Sequence, residues 1–491
     1  MRVEYLFVII LCIVASIRIF LFSAGFPVFT NVDEHAHFDL ICKYSKGKIP
    51  TGLWKYDHDA NRMIMLYGSP EYLYYPADLP TGEIPPPIWK LPPEIQEFVL
   101  EKRLEKVKKG LNHESTQPPV YYFISALWYE LGQALRIGNG FILYWVRFLN
   151  IIIYSVLIWL SYIFVRKYYH EDTFLRLSLP LILAFFPQDV FFSINNDVLT
   201  PLVFTTAFLC LLDCLISESK GVAFHLLTGL LIATAFLVKI TAFVIFIMLG
   251  FVVILKAIRL KNERRFSEGM PALATLVLSA LLPAGLWLLR NYLVLGDITG
   301  SAAKINMLTW TAKPFTAIWD HPIFTPAGAL TFWSELMKTF WRGEITWYGE
   351  RLSWDFADGF YWISSSVFLI AFIYSLLLLR PRTKSKIIDI ANLIVFGASV
   401  LFMTGISISY DYGTCWYPSQ EHPYFTSGRL ISGALVPFLI LYLQGFKILT
   451  SRLKSYTRWA ALGAIIALML ASEIVLSIPV FGSAYNMFHL H

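Results

Sequence analysis

Charge is what this chain has least of. Asp, Glu, Lys and Arg make up 15% of its 491 residues, while 56% are hydrophobic and 16% aromatic. An ordinary soluble domain is about one quarter charged, so this shortage excludes one and indicates a protein built for a bilayer. The net charge of +6 is no nucleic-acid signal, because the basic residues sit in short clusters between apolar runs. Cysteine is scarce too. The five present show no metal-ligand spacing: Cys12, Cys210 and Cys214 lie in apolar runs, and Cys42 and Cys415 in expected outer loops. A Cys42–Cys415 disulfide stays open, with unpaired small residues the favoured reading. No internal repeat is visible, which weighs against a secondary transporter. Nor is there a clean leader peptide: Arg18 interrupts the first apolar stretch and further spans follow, so the start reads as an uncleaved anchor.

What is abundant is hydrophobic length. Apolar windows near 5–24, 141–165, 175–192, 198–216, 222–238, 241–257, 271–289, 361–379, 388–408, 428–446 and 457–476 are each read as a span. A twelfth candidate, 119–135, is shorter and more polar. Basic clusters at Arg166-Lys167, Lys256 to Arg265, Arg380 to Lys386 and Lys447 to Arg458 should all be cytoplasmic. With Met1 inside, they share that side only if 119–135 does not cross, so it reads as an interfacial or re-entrant helix. The expectation is an all-α polytopic protein forming a single membrane domain over 1–491, with about eleven spans, the N-terminus cytoplasmic and the C-terminus outside. Three outer regions hold the remaining mass: a long first loop at 25–140, a tryptophan-rich loop at 290–360 and a late loop at 409–427. The inner loops are short and basic, so the chemistry belongs on the outer face of what is expected to be a plasma membrane.

Four groups of residues stand out. Asp33-Glu34, followed by His35 and His37, occupy the exit of the first span, where charge needs a reason. Adjacent carboxylates at a low-dielectric boundary are expected to raise one another's pKa, which suits one of them to general-base work. The plain alternative is a polar helix end. His35 and His37 could assist the base or a metal, although their i, i+2 spacing would turn them apart on a helix. Asn195-Asn196-Asp197 sits at the next outer turn, where Asp197 would orient an acceptor, support a metal or balance an arginine; turn and cap chemistry explains it equally well. Arg147, Lys239, Arg290 and Arg429 border apolar runs at outer ends and suit a headgroup-level phosphate, with interfacial snorkelling as the alternative. The fourth is His113-Glu114-Ser115-Thr116-Gln117-Pro118-Pro119-Val120-Tyr121-Tyr122, whose Pro-Pro pair fixes the entry to the non-crossing helix. Trp310, Trp319, Trp333, Trp341, Trp347 and Trp354 would stack sugar rings, wrap a lipid or form an aromatic belt.

The order of these elements resembles the GT-C superfamily of polyprenyl-phosphate-sugar-dependent glycosyltransferases. Within it, the chain is similar to the prokaryotic relatives of the protein O-mannosyltransferases and of the aminoarabinose transferases acting on lipid A. The residues that carry the likeness are Asp33-Glu34, Gln117-Pro118-Pro119-Val120-Tyr121-Tyr122, Arg147-Phe148-Leu149-Asn150, Asn196-Asp197, Leu237-Val238-Lys239-Ile240-Thr241, Arg290-Asn291-Tyr292 with Gly296-Asp297, and Gly428-Arg429-Leu430. The resemblance implies Asp33 as catalytic base and Arg147, Lys239 and Arg429 as ligands of the lipid phosphate. Relatives carry His or Lys before the Pro-Pro pair, where this chain has Gln117. The implied function is inverting transfer of a sugar from a polyprenyl-phosphate carrier to a glycan, lipid or protein acceptor. A divalent metal is the one cofactor left open. The rival readings are a transporter or lipid-carrier flippase and a non-catalytic assembly subunit.

Overall fold

The computed structural model describes residues 2–31, 33–107, 109–138, 140–217, 220–378, 384–413 and 423–488. Cys415 and the Gln420-Glu421-His422 part of the late loop therefore lie outside the described residues, as do Arg380 and Arg382. Seventeen α-helices are present among the described residues. The first five are α1 (Arg2–Gly25), α2 (Glu34–Ser45), α3 (His58–Tyr67), α4 (Pro93–Val107) and α5 (Val120–Ala134). Then come α6 (Phe141–Tyr168), α7 (Thr173–Ala184), α8 (Thr200–Ile216), α9 (Val222–Val238), α10 (Val244–Asn262) and α11 (Phe266–Leu295). The chain finishes with α12 (Ala302–Met307), α13 (Pro326–Arg342), α14 (Asp355–Leu378), α15 (Lys384–Ser409), α16 (Leu435–Leu449) and α17 (Ser455–Phe481). Among the described residues, extended structure comprises two two-residue pairings, Thr311–Ala312 with Tyr410–Asp411 and Thr346–Trp347 with Glu350–Arg351, and an isolated bridge between Lys55 and Leu111.

Nine of the helical segments are long and apolar enough to cross a membrane, and α7 and α9 are shorter apolar helices. Their lipid-facing side explains why the runs are hydrophobic all round. On α1, Leu6, Ile10, Ile13, Ile17 and Leu21 recur at helical spacing on the exposed face, while Val8, Leu11, Ala15, Ile19 and Phe22 pack inward. The span entering α16 is the most enclosed, 83% buried, which makes it the centre of the bundle. Close packing uses small residues: a Cβ on Gly229 of α9 would stand 2.5 Å from the Leu276 carbonyl oxygen of α11. The one charge that interrupts α1, Arg18, is buried and donates to Glu473 of α17, with Nε–Oε2 at 2.7 Å, and to the Phe186 carbonyl at 2.8 Å. It is a tie between helices.

A layer at one end of the bundle is built from α2 to α5 and the 290–360 segment. At 15 residues, α5 is about 22 Å long, short of the ~30 Å hydrocarbon core. It is clamped to α6 by Trp128 and Trp145, whose rings stack 4.3 Å apart and 4° from parallel. Each indole N–H donates to the other residue's carbonyl, at 2.7 and 2.8 Å. The tryptophans of 290–360 divide. Trp341 and Trp347 are buried, Trp341 stacking on Tyr361 at 5.1 Å, and so take no part in a surface for sugar rings; Trp319 is exposed.

Candidate active site

Asp33 starts α2 from a left-handed backbone conformation, φ 62°, uncommon outside glycine though tolerated by Asp. An aspartate at a helix start normally caps it, as Asp57 and Asp172 do for α3 and α7. Asp33 does not: its carboxylate is turned away from the helix. Oδ1 meets His113 Nε2 at 2.8 Å and Oδ2 accepts from Arg429 Nη2 at 2.9 Å. Glu34 faces the other way and is completely buried. It accepts from Arg147 through both oxygens at 2.7 Å, from Phe29 N at 2.8 Å and from Ile194 N at 2.9 Å. Arg147 gives its remaining donors to the Ser23, Phe26 and Pro27 carbonyls.

Two expectations are corrected by this geometry. Asp33 is not raised, and the two neighbouring side chains go to opposite partners. Burial pushes the Asp33 carboxyl up, but His113 and then Arg429 outweigh it and hold it well below the usual carboxylate range. Arg147 is also no phosphate ligand in this arrangement, since its donors are spent on Glu34 and three carbonyls; the Glu34–Arg147 pair is a buried brace under the site.

Around Asp33 the chain assembles a network of alternating charge. Arg429 also reaches Asp197 Oδ2 at 3.3 Å and Glu344 Oε2 at 3.8 Å. Asp197 in turn pairs with Lys239, which lies 3.4 Å from Asn196 Oδ1. The Asn195 side chain accepts from Asp197 N at 2.8 Å, an Asx turn that fixes Asp197 before α8. Lys304 of α12 pairs with Glu114. Burial pushes the Glu114 carboxyl up, yet the Lys304 ammonium wins and takes it down to about 2. Asn112 pins this segment to α2 by donating to the Ala36 carbonyl at 2.8 Å and to Asp39 Oδ2 at 2.6 Å. Gln117 donates to Glu114 at 2.5 Å, a bridge inside the network.

The sequence-selected residues thus divide. Asp33, Asp197, Lys239 and Arg429 meet in one cluster. His35 stands beside it, its ring 6.4 Å from that of His113, and His37 hydrogen-bonds Tyr122 at 2.8 Å. Burial lowers both to about 4, so each is neutral at physiological pH. Arg290 stands apart, bound to the Pro50 carbonyl and stacked on Trp287. Sequence reasoning gave no role to His113, Glu114, Lys304 or Glu344. The first two lie in the segment before the Pro-Pro pair, where charge beside a membrane-entry turn was a signal; Lys304 and Glu344 are lone charges in a long loop and carried none.

Exposure divides the network into a floor and a rim. Asp197, Lys239 and Glu344 form a buried floor, while Lys304 (27%), Asp33 (20%), His113 (17%) and Arg429 (13%) form the open rim. His37 Nε2, Asp189 Oδ1 and Glu344 Oε1 are buried without a partner among the described residues, unusual for polar atoms and consistent with a polar guest. Asp33, His113 and Glu114 also offer three ligand atoms within 4.8 Å of one another. One imidazole and two carboxylates suit zinc or manganese by donor type. Against that, Arg429 and Lys304 already neutralise the two carboxylates.

Residues 116–287 match the family model described as dolichyl-phosphate-mannose-protein mannosyltransferase. The matched stretch contains Arg147, Asp197 and Lys239. That stretch is thus similar to membrane glycosyltransferases named for a lipid-linked sugar donor. No curated protein sequence matches the chain. Among solved structures, it is similar to ArnT from Cupriavidus metallidurans bound to undecaprenyl phosphate, at 11% identity and TM-score 0.45, over 98% of this chain and 76% of that one. A likeness that low carries no argument about the site.

Proposed function

We propose that the protein transfers a sugar, with inversion, from a polyprenyl-phosphate carrier to an acceptor hydroxyl or amine at the outer face of the plasma membrane. The observation that carries this is Asp33, the one carboxylate on the rim of the network held between two cationic partners. The acceptor oxygen or nitrogen bonds to the anomeric carbon as the bond from that carbon to the phosphate oxygen breaks. The acceptor proton goes to Asp33, and polyprenyl phosphate leaves as an anion stabilised by Arg429, Lys304 and, from the floor, Lys239. Arriving phosphate competes with Asp33 for Arg429. As the guanidinium turns to phosphate, Asp33 loses a cationic partner and becomes a stronger base. Donor binding therefore arms the base, which restrains the site until a sugar is present. Asp197 positions Arg429 and Lys239, and His35 and His37 line the acceptor side as neutral imidazoles. Glu34 and Arg147 act through the fold.

The membrane arrangement supporting this reading has eleven crossings, the nine long spans plus α7 and α9, with the N-terminus cytoplasmic and the C-terminus outside. Arg166-Lys167, Lys256 to Arg265 and Lys447 all lie at helix ends away from Asp33, as the charge bias of inner loops requires. The whole chain is then one domain, with the non-crossing α5 and the 25–140, 290–360 and 409–427 segments on the active side. The acceptor is a glycan, lipid or protein. If a divalent ion sits on Asp33, His113 and Glu114, it supplies charge for the leaving phosphate; loss of transfer on EDTA treatment, restored by zinc or manganese, is the sign of it.

The test is Asp33→Asn assayed with synthetic polyprenyl-phosphate sugar. Transfer should fall by about 10²–10⁴-fold, the usual reach of general-base catalysis, with an unchanged gel-filtration profile. Near-normal turnover in that variant ends the assignment.

A further inference from the structure

At the opposite end of the bundle, a cleft with a cavity volume of about 120 Å³ opens where α8 passes to α9 and α10 to α11. Four cations line it, Lys220, Lys256, Arg259 and Arg265, against two carboxylates, Glu263 and Glu268. The lysine, arginine and glutamate side chains of the described lining therefore hold an excess of two positive charges. Arg259 meets Glu263 at 2.7 Å and Arg265 meets Glu268 at 3.0 Å, both at least one third exposed. Exposed pairs of this kind are weakly held, so an incoming anion can share these guanidinium groups. Lys256 is more firmly placed, buried and donating to the Ser217 carbonyl at 2.8 Å.

The surroundings say what kind of anion fits. Leu260 and Leu273 form an apolar wall inside the cleft. Beside it, Phe266, Met270, Val222 and Leu226 are exposed, and the apolar surface continues along the bundle through Leu230, Leu278 and Leu282. A soluble phosphate would use only the charged part. A lipid would place its phosphate among the cations and its chains along α9 and α11. We propose that this cleft binds the phosphate of an anionic phospholipid headgroup, on the membrane face away from Asp33. Basic pockets between membrane helices are suited to such headgroups, and one between two helical hairpins would tie them together.

Native mass spectrometry of the full-length protein in detergent tests this, by titrating phosphatidylglycerol and phosphatidylcholine of identical chains. Phosphatidylglycerol should bind about tenfold more tightly, at one molecule per chain. K220A/R265A should weaken it about tenfold without altering phosphatidylcholine, as should Lys256→Gln. The double variant alone decides the matter if Lys256→Gln fails to fold. K102A/R103A removes equal charge from the exposed α4 and should leave binding unchanged. Equal affinity for the two lipids, or unchanged binding in K220A/R265A, overturns the proposal. So does a loss in K102A/R103A as large as in K220A/R265A, since that is bulk charge attraction. Displacement of phosphatidylglycerol by millimolar inorganic phosphate also overturns it, and marks a site for free phosphate.

Discussion

Asp33 and Glu34 carry the same functional group on adjacent residues, and the backbone sends them into opposite surroundings. Glu34, with four hydrogen bonds and no exposure, can be exchanged only at the expense of the fold. Removing one member of a buried ion pair leaves the other charge stranded, typically costing about 3–5 kcal/mol. Arg147→Ala and Glu34→Gln should therefore lower the thermal unfolding midpoint or the folded yield markedly, whereas Asp33→Asn should not; equal stability in all three would refute the brace. His113 makes a different prediction. Burial lowers its pKa but the Asp33 carboxylate more than reverses this, so the imidazolium persists above its ordinary range near 6.5. A raised pKa means that the pair's stabilisation is fully present below the unfolded value and is lost as pH rises through the folded one. On the Asp33 side the lowered pKa keeps the carboxylate ionised, and that contribution fades only as the pH falls below about 4. Raising the pH discharges His113 and releases a constraint on the base. Transfer should consequently rise through one ionisation above pH ~6.5, and His113→Gln should abolish that step in the kcat/KM profile.

At the scale of elements, the position of Arg429 depends on how closely α13 passes the segment before α16. A Cβ on Gly428 would lie 2.2 Å from Phe340 N, and Gly428 N donates to Thr339 Oγ1 at 3.0 Å. Gly428→Ala must push the segment away, carrying the guanidinium from Asp33 and Asp197. A displacement near 1 Å costs about 100-fold in a positioned site, so kcat/KM should fall by about that factor while Asp33 itself is intact. Gly343 is similarly restricted, at φ 82° and with Asp189 where a Cβ would go. The helices were legible because apolar runs long enough to span a bilayer have few other uses, and Arg429, Asp197 and Lys239 because charge at the end of such a run is conspicuous. What could not be read was the partner of each charge. Arg147 and Arg429 look alike in sequence, yet one is enclosed by carbonyls at the end of α1 and the other stands on the rim. Lys304 and Glu344 arrive from a loop with no periodicity, so only tertiary packing brings them to Asp33.

For the whole molecule, the consequence is a division between the two ends of the bundle, which the proposed orientation assigns to opposite membrane faces. The charged network and the long loops occupy one, and the basic turns the other, about 25 Å away along the 17 residues of α9. That division has a direct test in a cysteine-free background. A membrane-impermeant maleimide applied to intact cells should label Glu83→Cys in the first loop, and should label Arg264→Cys only after permeabilisation. Labelling of both from outside would invert or abolish the proposed orientation. On the proposed function, the donor's phosphate would reach the rim at headgroup level while its sugar projects toward the loops, where an acceptor would arrive from water.

The stacked Trp128 and Trp145 have an optical consequence. Two parallel indoles in contact couple their electronic transitions, so the pair should give an exciton couplet in circular dichroism that neither ring would show alone. Because Tyr122 on the same short helix touches His37, any movement of that helix as donor or acceptor enters would disturb the overlap. The couplet would then collapse and indole emission would change, making the protein its own sensor of occupancy without an added fluorophore. Trp128→Phe should erase the signal and serve as its control.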